Sequence, residues 1–198
     1  TDQVLVIEGN IGVGKTSLAQ KIAKDYDVPA LFENFTQNPY LKKFYDQPQR
    51  FALLLENYFL ADRILQFSTF FKGEIPKRKG VADHSLFKSL VFAKINLSIT
   101  DYEDFKKKYD QLASGEFINK KVIFLHQPLE KIRHQIKSRG RSFEQNIPFN
   151  YLKKIEEGYQ NFIQSGLSFR SHKIDLTELD FVNDERAYQI ILQRIKAF

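Results

Sequence analysis

Cysteine is absent from the 198 residues, which excludes a disulfide framework, a cysteine-ligated metal and a thiol nucleophile, and leaves the chemistry to oxygen and nitrogen groups. Equally absent is any run of 18 or more apolar residues. The N-terminus carries no signal-peptide pattern, because the apolar stretch Val4 to Ile7 leads straight into glycines. The expectation is a soluble, cytoplasmic protein with no membrane partner. No internal repeat, low-complexity tract or long linker divides the chain, and its length suits one domain over residues 1–198.

What is present is 42% hydrophobic residues, with 19 Phe and 9 Tyr, enough apolar surface to offset chain entropy and exclude disorder. A net charge of +6 implies an anionic partner: a nucleotide, a nucleic acid or a membrane surface.

Val4 to Ile7 reads as a buried parallel strand ending at Gly9, and Leu18, Ala19, Ile22, Ala23 and Tyr26 then recur at helical spacing. Further strands are expected at Ala30 to Phe32, Val81-Ala82, Val122 to Leu125 and Lys173 to Asp175. Helices are expected over Pro48 to Phe67, Lys88 to Leu112, a segment opened by Pro128 in its first turn, Pro148 to Gln164, and a C-terminal stripe of Ala187, Ile190, Ile191 and Ile195. Thr100 and Glu103 have capping-box spacing and would start a second helix within Lys88 to Leu112. Lys72 to Gly80, with Pro76, reads as an exposed loop, and a further loop ends over Asn119 to Lys121. Strands alternating with helices predict the α/β class, a parallel sheet covered on both faces.

Gly9-Asn10-Ile11-Gly12-Val13-Gly14-Lys15-Thr16 matches G-x-x-x-x-G-K-[ST] at every fixed position, between a predicted strand and a predicted helix. Such a loop turns successive backbone N–H groups onto phosphate oxygens at a helix N-terminus, with Lys15 on the β- and γ-phosphates. Thr16 offers a hydroxyl to Mg²⁺, which prefers oxygen ligands, and Ser17 follows it in the first turn. No N-K-x-D string exists to read guanine, so a GTPase is disfavoured. Downstream, Lys137 to Glu144 sets Gly140 between Arg139 and Arg141, and these guanidinium groups could close over a transferred phosphoryl group as a lid spanning about residues 137–146.

These motifs, with Phe32-Glu33-Asn34 after the second strand, resemble the deoxynucleoside kinase family over nearly the whole chain. The resemblance implies a three-layer P-loop kinase fold with a central five-stranded parallel sheet flanked by helices, a homodimer, and phosphorylation of a deoxynucleoside 5′-hydroxyl by ATP with Mg²⁺. It assigns Glu33 as general base, Tyr45 to the sugar 3′-hydroxyl, Glu144 as the partner carboxylate of Tyr45, and Leu179-Asp180-Phe181 to the adenine of ATP. Lys15, Arg139 and Arg141 fall on the phosphates.

Two departures stand out. Where many members have a glutamate-arginine-serine triplet this chain has Asp83-His84-Ser85; Asp83 can still serve Mg²⁺, while His84 is shorter than arginine and not permanently charged. Where many carry a base-reading glutamine this chain has Glu56, two helical turns from Arg63. An ionised carboxylate only accepts hydrogen bonds, and guanine presents two adjacent donors, so deoxyguanosine is favoured over deoxyadenosine. Pairing of Glu56 with Arg63, which leaves the arginine to recognise the base, and protrusion of Glu56 into solvent are the competing arrangements. His126, His134 and His172 read as isolated.

Two other functions compete. A nucleoside monophosphate kinase resembling thymidylate kinase shares the loop and lid but would need arginines for a second phosphate, and only Arg50 and Arg63 lie near Tyr45 or Glu56. A basic nucleic-acid-binding protein would use runs such as Lys106-Lys107-Lys108, which more often line a solvated helix face, and no recognition module accompanies them.

Overall fold

A computed structural model describes residues 3–72, 79–113, 121–166 and 169–198. The middle of the expected 72–80 loop, including Pro76, and the end of the loop at Asn119 and Lys120 lie outside the described residues.

Five strands, β1 (Gln3–Gly9), β2 (Ala30–Leu31), β3 (Lys79–Ala82), β4 (Lys121–His126) and β5 (Arg170–Asp175), form one parallel sheet in the order β2-β3-β1-β4-β5. The central strand β1 registers Val6 against Ala82 on one side and against Val122 on the other. Because side chains alternate along a strand, each inner strand feeds two cores. Ile7, Ile123 and Leu125 enter a core with Leu18, Ile22, Ile132, Ile136, Tyr188 and Ile191. Val4, Val6, Val122 and Phe124 enter the opposite one with Phe67, Phe70, Phe87, Val91 and Ile155. Both faces are covered, which is why these strands read as continuous apolar runs.

The α-helices among the described residues are α1 (Lys15–Tyr26), α2 (Leu41–Asp46), α3 (Pro48–Phe71), α4 (Lys88–Asn96), α5 (Ile99–Leu112), α6 (Leu129–Arg139), α7 (Phe149–Gln164) and α8 (Glu185–Ala197). The six-residue α2 was not expected: it is too short for a periodic signal and is held by Phe44 packing on Ala52, Leu55 and Phe59 of α3. The expected capping box at Thr100 is corrected: Ser98 is the N-cap, its Oγ accepting from Asp101 N at 3.2 Å, so the helix starts earlier. Pro128 sits just before α6 rather than in its first turn. The Lys106, Lys107 and Lys108 ammoniums hydrogen-bond Asp110, Asp104 and Asn57 along an exposed face of α5. No helix among the described residues is long and apolar enough to cross a membrane.

A carboxylate ties these layers together. Glu8 on β1 is wholly buried, accepting from Ser85 Oγ at 2.5 Å and from Tyr159 Oη of α7 at 2.7 Å. Tyr159→Phe removes one donor and leaves the carboxylate oxygen facing apolar surroundings, at a cost of about 2 kcal/mol. For a chain of this size that corresponds to a fall of roughly 4–8 °C in Tm, readable by thermal unfolding.

Candidate active site

The loop between β1 and α1 is built for an anion. Gly12 adopts φ +81°, and a Cβ there would lie 2.6 Å from Ile136 Cγ1; Gly14 adopts φ +102°. Both conformations favour glycine, and such left-handed turns are what allow a loop of this kind to offer successive N–H groups to an anion. Among the described residues no side chain caps the start of α1, so its first N–H groups are available to a ligand. Asn10, placed by the motif among the phosphate-binding residues, turns its side chain away: its Nδ2 donates to Leu152 O at 2.9 Å and its Oδ1 accepts from Ile11 N at 2.9 Å, pinning the loop to α7. Lys15 folds across the loop, donating to Gly9 O at 2.9 Å and Asn10 O at 2.7 Å. Burial first and the charge of Lys88 second lower the Lys15 ammonium to about 8.

Two cavities meet at this loop and share Gly12, Lys15, Thr16 and Arg139. The outer, of about 810 Å³, runs along Gly12 to Ser17 and past Lys131 and His134 to Asp180 and Phe181. The inner one reaches from Lys15 to Glu33, Tyr45, Glu56, Arg63 and Tyr151. Of the predicted residues, Gly9 and Asn10 line neither: they shape the loop from behind. Ile11 lines the inner cavity and Val13 and Gly14 the outer.

Glu33 follows the C-terminal end of β2, where an open parallel sheet presents its ligands. Its Oε1 accepts from Arg63 Nε at 2.9 Å and Nη2 at 2.5 Å, and its Oε2 from Lys88 Nζ at 2.6 Å. Burial pushes this carboxyl up, but Lys88 and Arg63 outweigh it and hold it well below the usual carboxylate range. Asp83, at the end of β3, accepts from Thr16 Oγ1 at 2.5 Å on Oδ2 and from Glu33 N at 2.9 Å on Oδ1. The paired Thr16 and Asp83 oxygens, at the junction of the two cavities, suit an oxygen-preferring cation such as Mg²⁺. His84 turns inward, fully buried, its Nδ1 3.2 Å from Asp83 Oδ1 and its ring edge-on to Phe67.

Glu56 and Arg63 share a face of α3, as their spacing predicts, but the expected competing pair does not form: Arg63 takes Glu33 and, through Nη1, Ser89 Oγ at 2.7 Å. Glu56 Oε1 instead accepts from Asn96 Nδ2 at 2.7 Å, while its buried Oε2 has no hydrogen-bond partner among the described residues. Burial, against the pull of Arg63 and Asn96, raises Glu56 to about 7. Burial, then the charge of Glu144, pushes the Tyr45 phenol up, keeping it a proton donor. In the 137–146 segment Glu144 is buried and pairs with both Arg139 and Arg141, and Arg141 lies 4.0 Å over the ring of Phe35. His126, expected to be isolated, pairs with Glu156 at 2.8 Å.

Lys88, Asn96, Glu8 and Tyr151 escaped the sequence. Each acts through a partner distant in the chain, and only the missing arginine of Asp83-His84-Ser85 hinted that a cation had to come from elsewhere.

A parallel sheet whose first strand runs into a glycine loop with a lysine, a threonine hydroxyl and a neighbouring aspartate defines a P-loop phosphotransferase. The family model for deoxynucleoside kinases matches residues 5–198, and the chain belongs to that family: it is a kinase of deoxynucleosides. It is 31% identical over 205 residues to a deoxyguanosine kinase of Bacillus subtilis (strain 168), covering 99% of this chain and 97% of that one. It is also 31% identical over 211 residues to a deoxyadenosine kinase of Lactobacillus acidophilus, covering 98% and 94%. Among solved structures, a deoxyadenosine kinase from M. mycoides with bound dATP superposes with a TM-score of 0.85 at 23% identity, covering 98% of this chain and all of that one, a likeness of fold.

The double ion pair at Glu33 carries a stability consequence. A carboxyl whose folded pKa is depressed contributes stability present above its ordinary value of about 4.5 and lost as the pH falls through the folded value. Glu33→Gln, leaving two buried cations around a neutral amide, is expected to cost about 3 kcal/mol near pH 7. The gap in unfolding free energy between wild type and variant should narrow as the pH falls below about 4.5, as measured by denaturant titration at several pH values.

Proposed function

We propose that the chain transfers the γ-phosphoryl group of ATP to the 5′-hydroxyl of a purine deoxynucleoside, with deoxyguanosine favoured over deoxyadenosine. The observation that carries this reading is the junction: Glu33 and the phosphate-loop residues Lys15 and Thr16 line one cavity, which opens into the outer cleft through the same loop. ATP lies in the outer cleft with its adenine against Asp180 and Phe181, and its phosphates on the N–H groups of residues 12–17, on Lys15 and Arg139, and on Arg141 reaching across from the inner cavity. Thr16 and Asp83 would hold Mg²⁺, which neutralises phosphate charge when bound.

The nucleoside fills the inner cavity. Tyr45 donates to its 3′-hydroxyl alongside Glu144, and Glu33 accepts the 5′-hydroxyl proton. A carboxylate held between two cations is a weak base, which suits a loose transition state: the attacking oxygen needs orientation early and loses its proton late. Arg139 and Arg141, released from Glu144, close the 137–146 lid over the transferred group. Residues 1–198 act as one cytoplasmic domain of a homodimer, with Leu54 and Leu65, exposed on α3, available to the partner. Glu33→Gln should lower kcat by about 10²–10⁴ with little change in ATP affinity, and steady-state kinetics with a separate nucleotide-binding measurement checks this.

The base preference rests on Glu56. Asn96 occupies one lone pair of Oε1, so the unpartnered Oε2 and the second lone pair of Oε1 are left for the base, and ionised Glu56 suits the adjacent N1–H and N2–H₂ donors of guanine. Protonated, it offers one donor and one acceptor and suits adenine instead. With Glu56 raised to about 7, the ratio of kcat/KM for deoxyguanosine to that for deoxyadenosine should climb several-fold between pH 6 and pH 8. In Glu56→Gln the climb should vanish and the ranking move toward deoxyadenosine; an unaltered ranking removes the carboxylate argument.

A further inference from the structure

The reading of Glu33 as proton acceptor leaves its two cations unequal. Arg63 is 1% exposed, hydrogen-bonded to Ser89 Oγ as well as to Glu33, and stacked on Phe59 at 4.9 Å; it is fixed in place. Lys88 is different. It is also buried, at 6% exposure, but its ammonium, over the Phe92 ring at 5.4 Å, has Glu33 Oε2 as its one hydrogen-bond partner among the described residues. It lines the inner cavity with Lys15 and Thr16, and its charge is felt at Lys15. His84, the residue at the triplet's arginine position, is buried beside Phe67 and does not line that cavity.

We propose that Lys88 is a catalytic residue: it passes from Glu33 to the phosphoryl group as that group arrives on the 5′-oxygen. In the step, the 5′-O–P bond forms and the bond from the γ-phosphorus to its bridging oxygen breaks. The bonding pair leaves with the nucleoside diphosphate, and the hydroxyl proton moves to a Glu33 oxygen. Protonation cancels the charge that held Lys88, at the moment a phosphate monoester appears within the same cavity. A compact ammonium with three rotatable donors and one hydrogen-bonded partner can follow the charge, whereas the planar Arg63 fork, fixed on two partners, cannot. Oxyanion charge is thereby met by a cation that the ground state keeps neutralised, which favours the transition state over bound substrate.

This rests on the Glu33 reading, so the test separates the two. Lys88→Gln should lower kcat about 100-fold while KM for the deoxynucleoside and for ATP stays within about threefold. Glu33→Gln, which leaves Lys88 without its counter-charge, should bind deoxyguanosine and deoxyadenosine 5′-monophosphates about tenfold tighter than wild type by calorimetry, and adding Lys88→Gln should abolish the gain. Loss of a merely structural contact would move neither the kcat-to-KM split nor the monophosphate affinity in this way. Turnover retained by Glu33→Gln overturns the base reading. An inactive Glu33→Gln together with a Lys88→Gln kcat within threefold of wild type, or a monophosphate affinity indifferent to Lys88, overturns the Lys88 proposal alone. If Lys88→Gln is not recovered folded, Lys88→Met, which keeps the stem on Phe92, is judged by the same criteria.

Discussion

The carboxylate of Glu33, clamped between Arg63 and Lys88, is the interaction around which the inner half of the molecule is arranged. Three separate elements converge on it: the chain leaving β2, the third quarter of α3, and the first turn of α4. A buried anion with fewer cations would neutralise itself by protonation, and buried cations without it would be pushed toward their neutral forms. The cluster therefore fixes how α3 and α4 meet the sheet edge, and the Asp83 bond to Glu33 N carries the same constraint across to the phosphate loop. Stability and the proposed chemistry use one set of charges here.

Much of this was legible in the sequence where a local rule dictates the outcome. Strand, glycine loop and helix over residues 3–26 follow from a motif whose mechanism demands that order, and Leu18, Ala19 and Ile22 are buried as their spacing requires. The alternation of strands and helices gave a parallel sheet, and the side-by-side placing of Glu56 and Arg63 followed from helical geometry. Boundaries were less legible. Thr100 and Glu103 had the right spacing for a cap, but Ser98 two residues earlier had a better one, with Asp101 closing the pair. The short α2 exists because Phe44 has a pocket on α3, a fact no window of six residues contains.

The site divided along the same line. Residues announced by a motif or by the family resemblance, Lys15, Thr16, Glu33, Tyr45, Asp83, Arg139, Arg141 and Glu144, come together around one cavity. Which residue bonds which was hidden, because pairing depends on distances across the fold. Arg63 chose Glu33 over Glu56, and the vacancy at Glu56 was filled by Asn96 from the far end of α4. Asn10 shows the converse: a motif position whose side chain serves the scaffold while only its backbone faces Lys15.

Between Glu56 and Arg63, α3 works as a spacer. Seven residues of helix rise about 10 Å, so the free oxygen of Glu56 and the guanidinium that holds Glu33 are set two turns apart on one face of α3. A single residue inserted between them would swing one end through roughly 100° and unhook it from the cavity. That spacing is thus intolerant of insertions or deletions, and of the two side chains only Glu56 lies outside the Glu33 clamp, so it is the one whose exchange leaves the buried ion pairs intact.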